Sequence, residues 1–194
     1  MILEKIRGLF RESADLKVRF IEEYAPRVEE VSRRIAASLR TGGKLILMGN
    51  GGSACDASHL AAELVNRFQM ERSGLAALSL TTDMAVLTSI SNDYDYSLVF
   101  RRQWETLARE GDVTLGISTS GNSANVLRAV EAARDRGMPT IGFTGGNGGK
   151  LGDLVDYPFI VPSRNTARIQ EVHITLGHVI CQRVEEILFE EDRV

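Results

Sequence analysis

The sequence lacks most of the features that would place it outside the ordinary globular proteins. It has two cysteines, Cys55 and Cys181, too few for a disulfide framework and not in a metal-binding spacing. A reducing, cytoplasmic setting is the expectation. Basic excess is also missing: the net charge is -3 at pH 7, which offers nucleic acid no bulk attraction, and no nucleic-acid partner is expected. No long apolar run is present. The opening stretch Met1-Ile-Leu-Glu-Lys-Ile-Arg-Gly-Leu-Phe10 is interrupted by charge, against a signal peptide or a membrane span. Internal repeats, low-complexity tracts and a dividing linker are likewise absent. With 43% hydrophobic and 25% charged residues, the expectation is one domain over 1–194, a helical extension (1–42) on a core (43–194).

What is there begins with a helical pattern. Ile2, Ile6, Leu9, Phe10, Leu16, Phe20, Ile21 and Tyr24 recur at helical steps, and Pro26 predicts a restart. Val28, Val31, Ile35, Ala36 and Leu39 continue the stripe until Gly42-Gly43 ends it. Two helices before the first strand exceed what one sheet needs; they read as an oligomer interface, or alternatively as a cap on the domain.

From Lys44 the chain alternates short apolar runs with helical stretches. Strands are predicted at 44–48, 76–80, 113–117, 140–143 and 159–161. Helices are predicted at 54–68, 84–91, 97–109, 124–136 and 167–190. This alternation predicts an α/β fold, a parallel sheet with helices on both faces. Ligands in such folds sit outside the carboxyl ends of the strands.

Two of the turns there carry chemistry. The first, Met48-Gly-Asn-Gly-Gly-Ser53, combines glycines that let a ligand approach with a serine at a helix start, where free N–H groups favour anions. His59 and Glu63 follow on one face of that helix. The second, Ile117-Ser-Thr-Ser-Gly-Asn-Ser123, is dense in hydroxyls and precedes another helix, a composition suited to phosphate. Neither is a Walker loop, which needs Gly-Lys-Ser/Thr, nor a dinucleotide fingerprint, since Ala54 stands where the third glycine belongs. Asp83 reads as a helix N-cap. Asn92 and Asp93 either close a helix or bond sugar hydroxyls. The Thr144-Gly-Gly-Asn-Gly-Gly149 turn reads as a plain tight turn.

The last helix carries Gln170, His173 and His178. Gln170 and His178 share one broad face, about 80° apart, whereas His173 and His178 diverge by about 140°. His173 therefore reads as a packed residue, and for His178 packing and ligation both stay open. Gly177 reads as a site of close helix approach. Cys55 reads as a small buried residue and Trp104 as packing.

Gly49-Asn-Gly-Gly-Ser53, His59-x3-Glu63, Ser118-Thr-Ser-Gly-Asn-Ser123 and Arg168-Ile-Gln-Glu-Val-His173-x4-His178 together resemble the bacterial phosphoheptose isomerases of the sugar isomerase (SIS) superfamily. The resemblance covers nearly the whole chain. It implies a three-layer αβα sandwich with a five-stranded parallel sheet, flavodoxin-like, and N-terminal helices added for oligomerisation. It implies conversion of sedoheptulose 7-phosphate to D-glycero-D-manno-heptose 7-phosphate, a heptose precursor of bacterial surface glycans. Ser118, Thr119, Ser120 and Ser123 would hold the phosphate. Asn50, Gly51, Gly52, Asn92, Asp93 and Gln170 would contact the sugar, with Ser53 beside them. Glu63 and His178 would be the catalytic pair, and His59, Glu63, Gln170 and His178 would hold one zinc per subunit. The family is tetrameric, with active sites between subunits.

The residue types suit an enediol(ate) isomerisation: a carboxylate moves the carbon-bound proton and an imidazole serves the oxygens. A zinc-bound Glu63 is a weaker base, and glutamine is an unusual zinc ligand. Ala167 stands where some relatives carry Asp. Two other readings compete: a non-catalytic SIS protein that binds the replication initiator, and a sensor or isomerase for another sugar phosphate. The first lacks counterparts of Glu63 and His178, and both are present here.

Overall fold

The computed structural model describes residues 1–190; the last four residues of the expected 43–194 core lie outside the described residues. The elements follow in the order α1 (Ile2–Arg40), β1 (Leu45–Gly49), α2 (Gly52–Val65), β2 (Ala77–Ser79), α3 (Met84–Asp93), a 3-10 turn (Tyr96–Leu98), α4 (Val99–Leu107), β3 (Val113–Ile117), α5 (Ala124–Asp135), β4 (Thr140–Gly145), α6 (Gly149–Leu154), β5 (Tyr157–Val161) and α7 (Thr166–Phe189). Among the described residues the strands form one five-stranded parallel sheet in the order β2-β1-β3-β4-β5. This is the expected αβα sandwich with flavodoxin-like strand order.

The strands are mostly apolar because both faces are covered. Leu45 and Leu47 point into a core shared with α1, α2 and α7, while Ile46 and Met48 point into a second core with α3, α4, α5 and α6. Trp104 is fully buried in the second core and donates to the Thr114 hydroxyl (2.9 Å), a packing role as expected. At the end of the sheet away from the loops, buried Asp112 accepts from the Lys44 ammonium (2.6 Å), the Lys44 amide (2.9 Å) and the Arg109 amide (2.8 Å). Those three bonds tie the start of β1 to the start of β3.

Pro26 does not restart the first helix. A single 39-residue helix runs through it. Proline removes one intrahelical hydrogen bond, and here Glu22 and Pro26 lie on the exposed face, open to solvent. The expected helix 54–68 stops instead at Val65, because the Arg72 guanidinium takes the carbonyls of Glu63 (3.0 Å) and Leu64 (2.8 Å). The expected helix 97–109 opens as a 3-10 turn, capped by Asp95 on the Ser97 amide (2.8 Å). Helix α6 was not expected; six residues rich in glycine give little helical signal.

Helices α2 and α7 run side by side in the same direction. Gly52 meets Gln170, Leu60 meets Gly177, and Phe68 just beyond α2 meets Glu185. A side chain at Gly177 would overlap Leu60, so the expected close approach occurs there. Gly177→Val should lower unfolding stability by about 1–3 kcal/mol through overpacking, read as a shift in the urea midpoint. An unchanged midpoint would remove the close approach from the account.

Candidate active site

The strand order reverses between β1 and β3, the crevice where such sheets bind ligands. Gly49 and Ile117 are in register, so the two loops leave the sheet level with each other. In the first loop Gly51 has φ +57°, a left-handed conformation, and caps α2 without a side-chain bond. Ser53 is buried in the first turn. A side chain at Gly52 would meet the Gln170 side-chain amide, which would have to turn aside.

In the second loop the Ser118 hydroxyl lies 2.8 Å from Ser123 Oγ and 3.5 Å from Ser120 Oγ. Ser123 precedes α5 but makes no side-chain cap. Three hydroxyls and a helix N-terminus that Ser123 leaves uncapped thus face one place, an anion cradle of the expected kind. Asn50 and Asn125 exchange amide hydrogen bonds (2.9 Å each), and the Tyr96 hydroxyl donates to Asn50 Oδ1 (2.9 Å). That network locks the first loop to the start of α5. Tyr96 and Asn125 gave no signal in the sequence.

The Thr144–Gly149 turn is more than a plain turn. The Gly148 carbonyl occupies the space a side chain at Gly121 would need, and the Lys150 amide donates to Asn122 Oδ1 (3.3 Å). It braces the serine loop. A cleft beside it is lined by Thr119, Ser120, Gly146, Asn147, Ser163 and Arg164. Ala167 is exposed, and its amide is capped by Asn165 Oδ1 (3.0 Å).

Further along α2 the structure brings His59, Glu63 and His178 together. His59 Nε2 is 2.9 Å from Glu63 Oε1 and 3.4 Å from His178 Nε2. Among the described residues this is a group whose ligand atoms all lie within 4.8 Å of one another and could hold a metal ion. Burial, reinforced by neighbouring His59, holds the His178 pKa below the ordinary histidine value, with Glu63 opposing. Gln170 is not in this group: eight residues before His178, it sits about 12 Å back along the α7 axis. Asn92 and Asp93 stand in the exposed last turn of α3, where Asn92 donates to Asp93 (2.9 Å). Asp83 caps that helix on the Val86 amide (3.0 Å), as expected.

Asp56, one turn before His59 on the same face, escaped the sequence reading. Its Oδ2 is buried without a partner, and burial pushes its pKa up to about 6 against the opposing charge of His59. Cys55 is exposed, contrary to expectation, because it falls on the outer face of α2, away from the buried stripe of Ala57, Leu60 and Leu64.

This fold and these two loops define a SIS-domain protein, and the SIS domain family model matches residues 9–145. The chain is 56% identical over 189 residues to the phosphoheptose isomerase of Thermodesulfovibrio yellowstonii, covering 97% of this chain and 94% of that one. It is 54% identical over 189 residues to that of Aquifex aeolicus, covering 97% and 99% respectively. The solved phosphoheptose isomerase of Neisseria gonorrhoeae superposes with a TM-score of 0.90 at 41% identity, covering 96% of this chain and all of the other. The chain belongs to the phosphoheptose isomerase family of SIS-domain proteins.

His173 contrasts with His178. It is fully buried, with Nε2 3.1 Å from the Thr144 carbonyl oxygen. A carbonyl only accepts, so Nε2 donates, and among the described residues buried Nδ1 has no partner. Burial pushes its pKa down to about 4, partly offset by that bond. The folded state therefore binds fewer protons than the unfolded chain between the ordinary value of 6.5 and about 4. Its contribution to stability is present above that window and is lost as pH falls through it. Measured unfolding free energies of wild type and His173→Gln should converge by about 1.4 kcal/mol per pH unit between pH 6 and 5. A constant difference would contradict the assignment.

Proposed function

We propose that this protein is a cytoplasmic ketose–aldose isomerase that converts sedoheptulose 7-phosphate to D-glycero-D-manno-heptose 7-phosphate for surface-glycan synthesis. The observation that carries the chemistry is the convergence of Glu63 Oε1, His59 Nε2 and His178 Nε2 at one point. Ser118, Thr119, Ser120 and Ser123 hold the phosphate beside the α5 N-terminus. Asn50, Gly51, Gly52, Ser53, Asn92, Asp93 and Gln170 contact the sugar. Glu63 takes the proton from the carbon next to the carbonyl and returns it to the neighbouring carbon, while His178 passes a proton between the two oxygens. Glu63 Oε1 is engaged by His59, which leaves Oε2 for the carbon-bound proton.

The donor set fits zinc. Two imidazole nitrogens and a carboxylate are common zinc ligands, and the 3.4 Å between His59 and His178 nitrogens matches the ligand–ligand edge of about 3.3 Å in a tetrahedral site. His59, Glu63 and His178 would hold the ion, one per subunit. The resemblance adds Gln170, which about 12 Å back along α7 does not reach them within one chain. Bound there, zinc would polarise the carbonyl or hold the sugar oxygens.

We also propose a homotetramer with sites completed between subunits. Two features support it. His59 lies seven residues past Gly52, about 10 Å along α2, which separates the carboxylate–imidazole cluster from the anion loops of the same chain. Ile2, Leu3, Ile6 and Phe10 form an exposed apolar start to α1. No helix among the described residues is long and apolar enough to cross a membrane, and no nucleic-acid role is assigned.

Glu63→Gln should lower kcat by about 10²–10⁴-fold while calorimetry still detects sugar-phosphate binding. His178→Gln should lose turnover as well. Wild-type turnover by Glu63→Gln would overturn the proposed base.

A further inference from the structure

The segment between α2 and β2 is held by charges that the proposed reaction does not use. Glu185 on α7 is fully buried and accepts from the amides of Phe68 (2.9 Å), Gln69 (2.8 Å) and Met70 (3.2 Å). It also accepts from Arg72 Nε (2.7 Å), whose side chain is itself almost wholly buried. Burial alone would raise the Glu185 pKa, but these donors hold it below the ordinary carboxylate value. The rest of the Arg72 guanidinium donates to the carbonyls of Glu63, Leu64, Asn66 and Ser73 at 2.8–3.3 Å. A cation in that place favours the carbonyl end of α2. One buried pair thus fixes the turn that carries Glu63, the helix that carries His178 and the loop between them.

That clamp has a product at the candidate site. The Phe68 ring lies nearly parallel to the His178 imidazole, with centroids 5.5 Å apart and planes 21° apart. His59 meets His178 edge-on at 5.0 Å. Functional histidines are usually oriented by a carboxylate or carbonyl on the second ring nitrogen. Among the described residues the hydrogen bond of His178 runs through Nε2 to His59, and Nδ1 has none. The direction of the imidazole therefore rests on its ring neighbours, one of which the clamp supplies.

We propose that Phe68, held by the Arg72–Glu185 pair, is a positioning residue whose ring orients His178 toward His59 and Glu63; the inference rests on the role given to His178 above. The test compares full-length wild type with Phe68→Tyr, which keeps the flat ring, and Phe68→Leu, which keeps apolar volume without it. Phe68→Leu should lower kcat for sedoheptulose 7-phosphate by about tenfold or more, leave KM within about twofold, and weaken zinc binding about tenfold. Phe68→Tyr should restore both. Wild-type kcat and zinc affinity in Phe68→Leu would overturn the proposal, as would equal loss in both variants.

A second measurement does not depend on how well Phe68→Leu folds. In the metal-free wild type the ring protons of His178, assigned by their disappearance in His178→Gln, should lie upfield from the Phe68 ring current. Their appearance at positions of a freely solvated histidine would overturn the stacking. A wild type that shows the ring-shifted resonance and the Phe68-dependent zinc affinity, yet does not turn over the sugar phosphate, would support the positioning role and defeat the proposed activity alone.

Discussion

The close packing of α2 on α7 at Gly177 is the contact on which the candidate site depends. His59 and Glu63 come from one helix and His178 from the other, and their ligand atoms lie within 4.8 Å of one another. Such convergence requires the helix backbones to approach more nearly than a side chain would permit, and the space that glycine leaves is filled by Leu60. Contacts about two turns away on either side, Gly52 with Gln170 and the 68–72 segment with Glu185, set the register. A slip of one residue along either helix would rotate its site residues by about 100°. The site is thus a property of two packed surfaces more than of any loop.

The anion-binding half follows from a different constraint. A parallel sheet whose order reverses between β1 and β3 leaves a crevice flanked by two strand-to-helix turns. In both turns the helix start is left without a side-chain cap, by Gly51 in one and by Ser123 in the other. The first amides of α2 donate to the Asn50 and Gly51 carbonyls and the Val126 amide of α5 donates to Asn125 Oδ1, so what favours a phosphate there is the helix start and its dipole. The serine hydroxyls bond one another at 2.8–3.5 Å, holding the cradle in shape.

Much of this was legible in the sequence, for identifiable reasons. Doubly buried strands produce the largely apolar runs 45–48 and 113–117, and the motif residues stand next to those runs, so strand ends and loops announce themselves together. Cooperation between distant segments was not legible. Arg72 and Glu185 are separated by more than a hundred positions and read as ordinary charges; only the fold reveals them as one buried pair. Tyr96 and Asn125 reach Asn50 across gaps of 46 and 75 positions. Pro26 misled because its effect depends on whether the freed carbonyl faces water, and Cys55 because its burial depends on which side of α2 meets the sheet. The Thr144–Gly149 turn was undervalued because its role is to leave room and offer carbonyls, functions with no side-chain signature.

The non-catalytic readings differ from the isomerase in whether a carbon-bound proton is moved. An assembly factor or a sensor needs the anion cradle alone, and the Glu63–His59–His178 group would then have no task. The most direct measurement is NMR of the wild-type protein with sedoheptulose 7-phosphate in D2O, with zinc supplied. Proton transfer through an enediol(ate) by a partly solvated carboxylate predicts an aldose product carrying deuterium at C2. Hydrogen retained at C2 would mean that the Glu63 carboxyl returns its proton before it exchanges with solvent, whereas no aldose at all would contradict the isomerase.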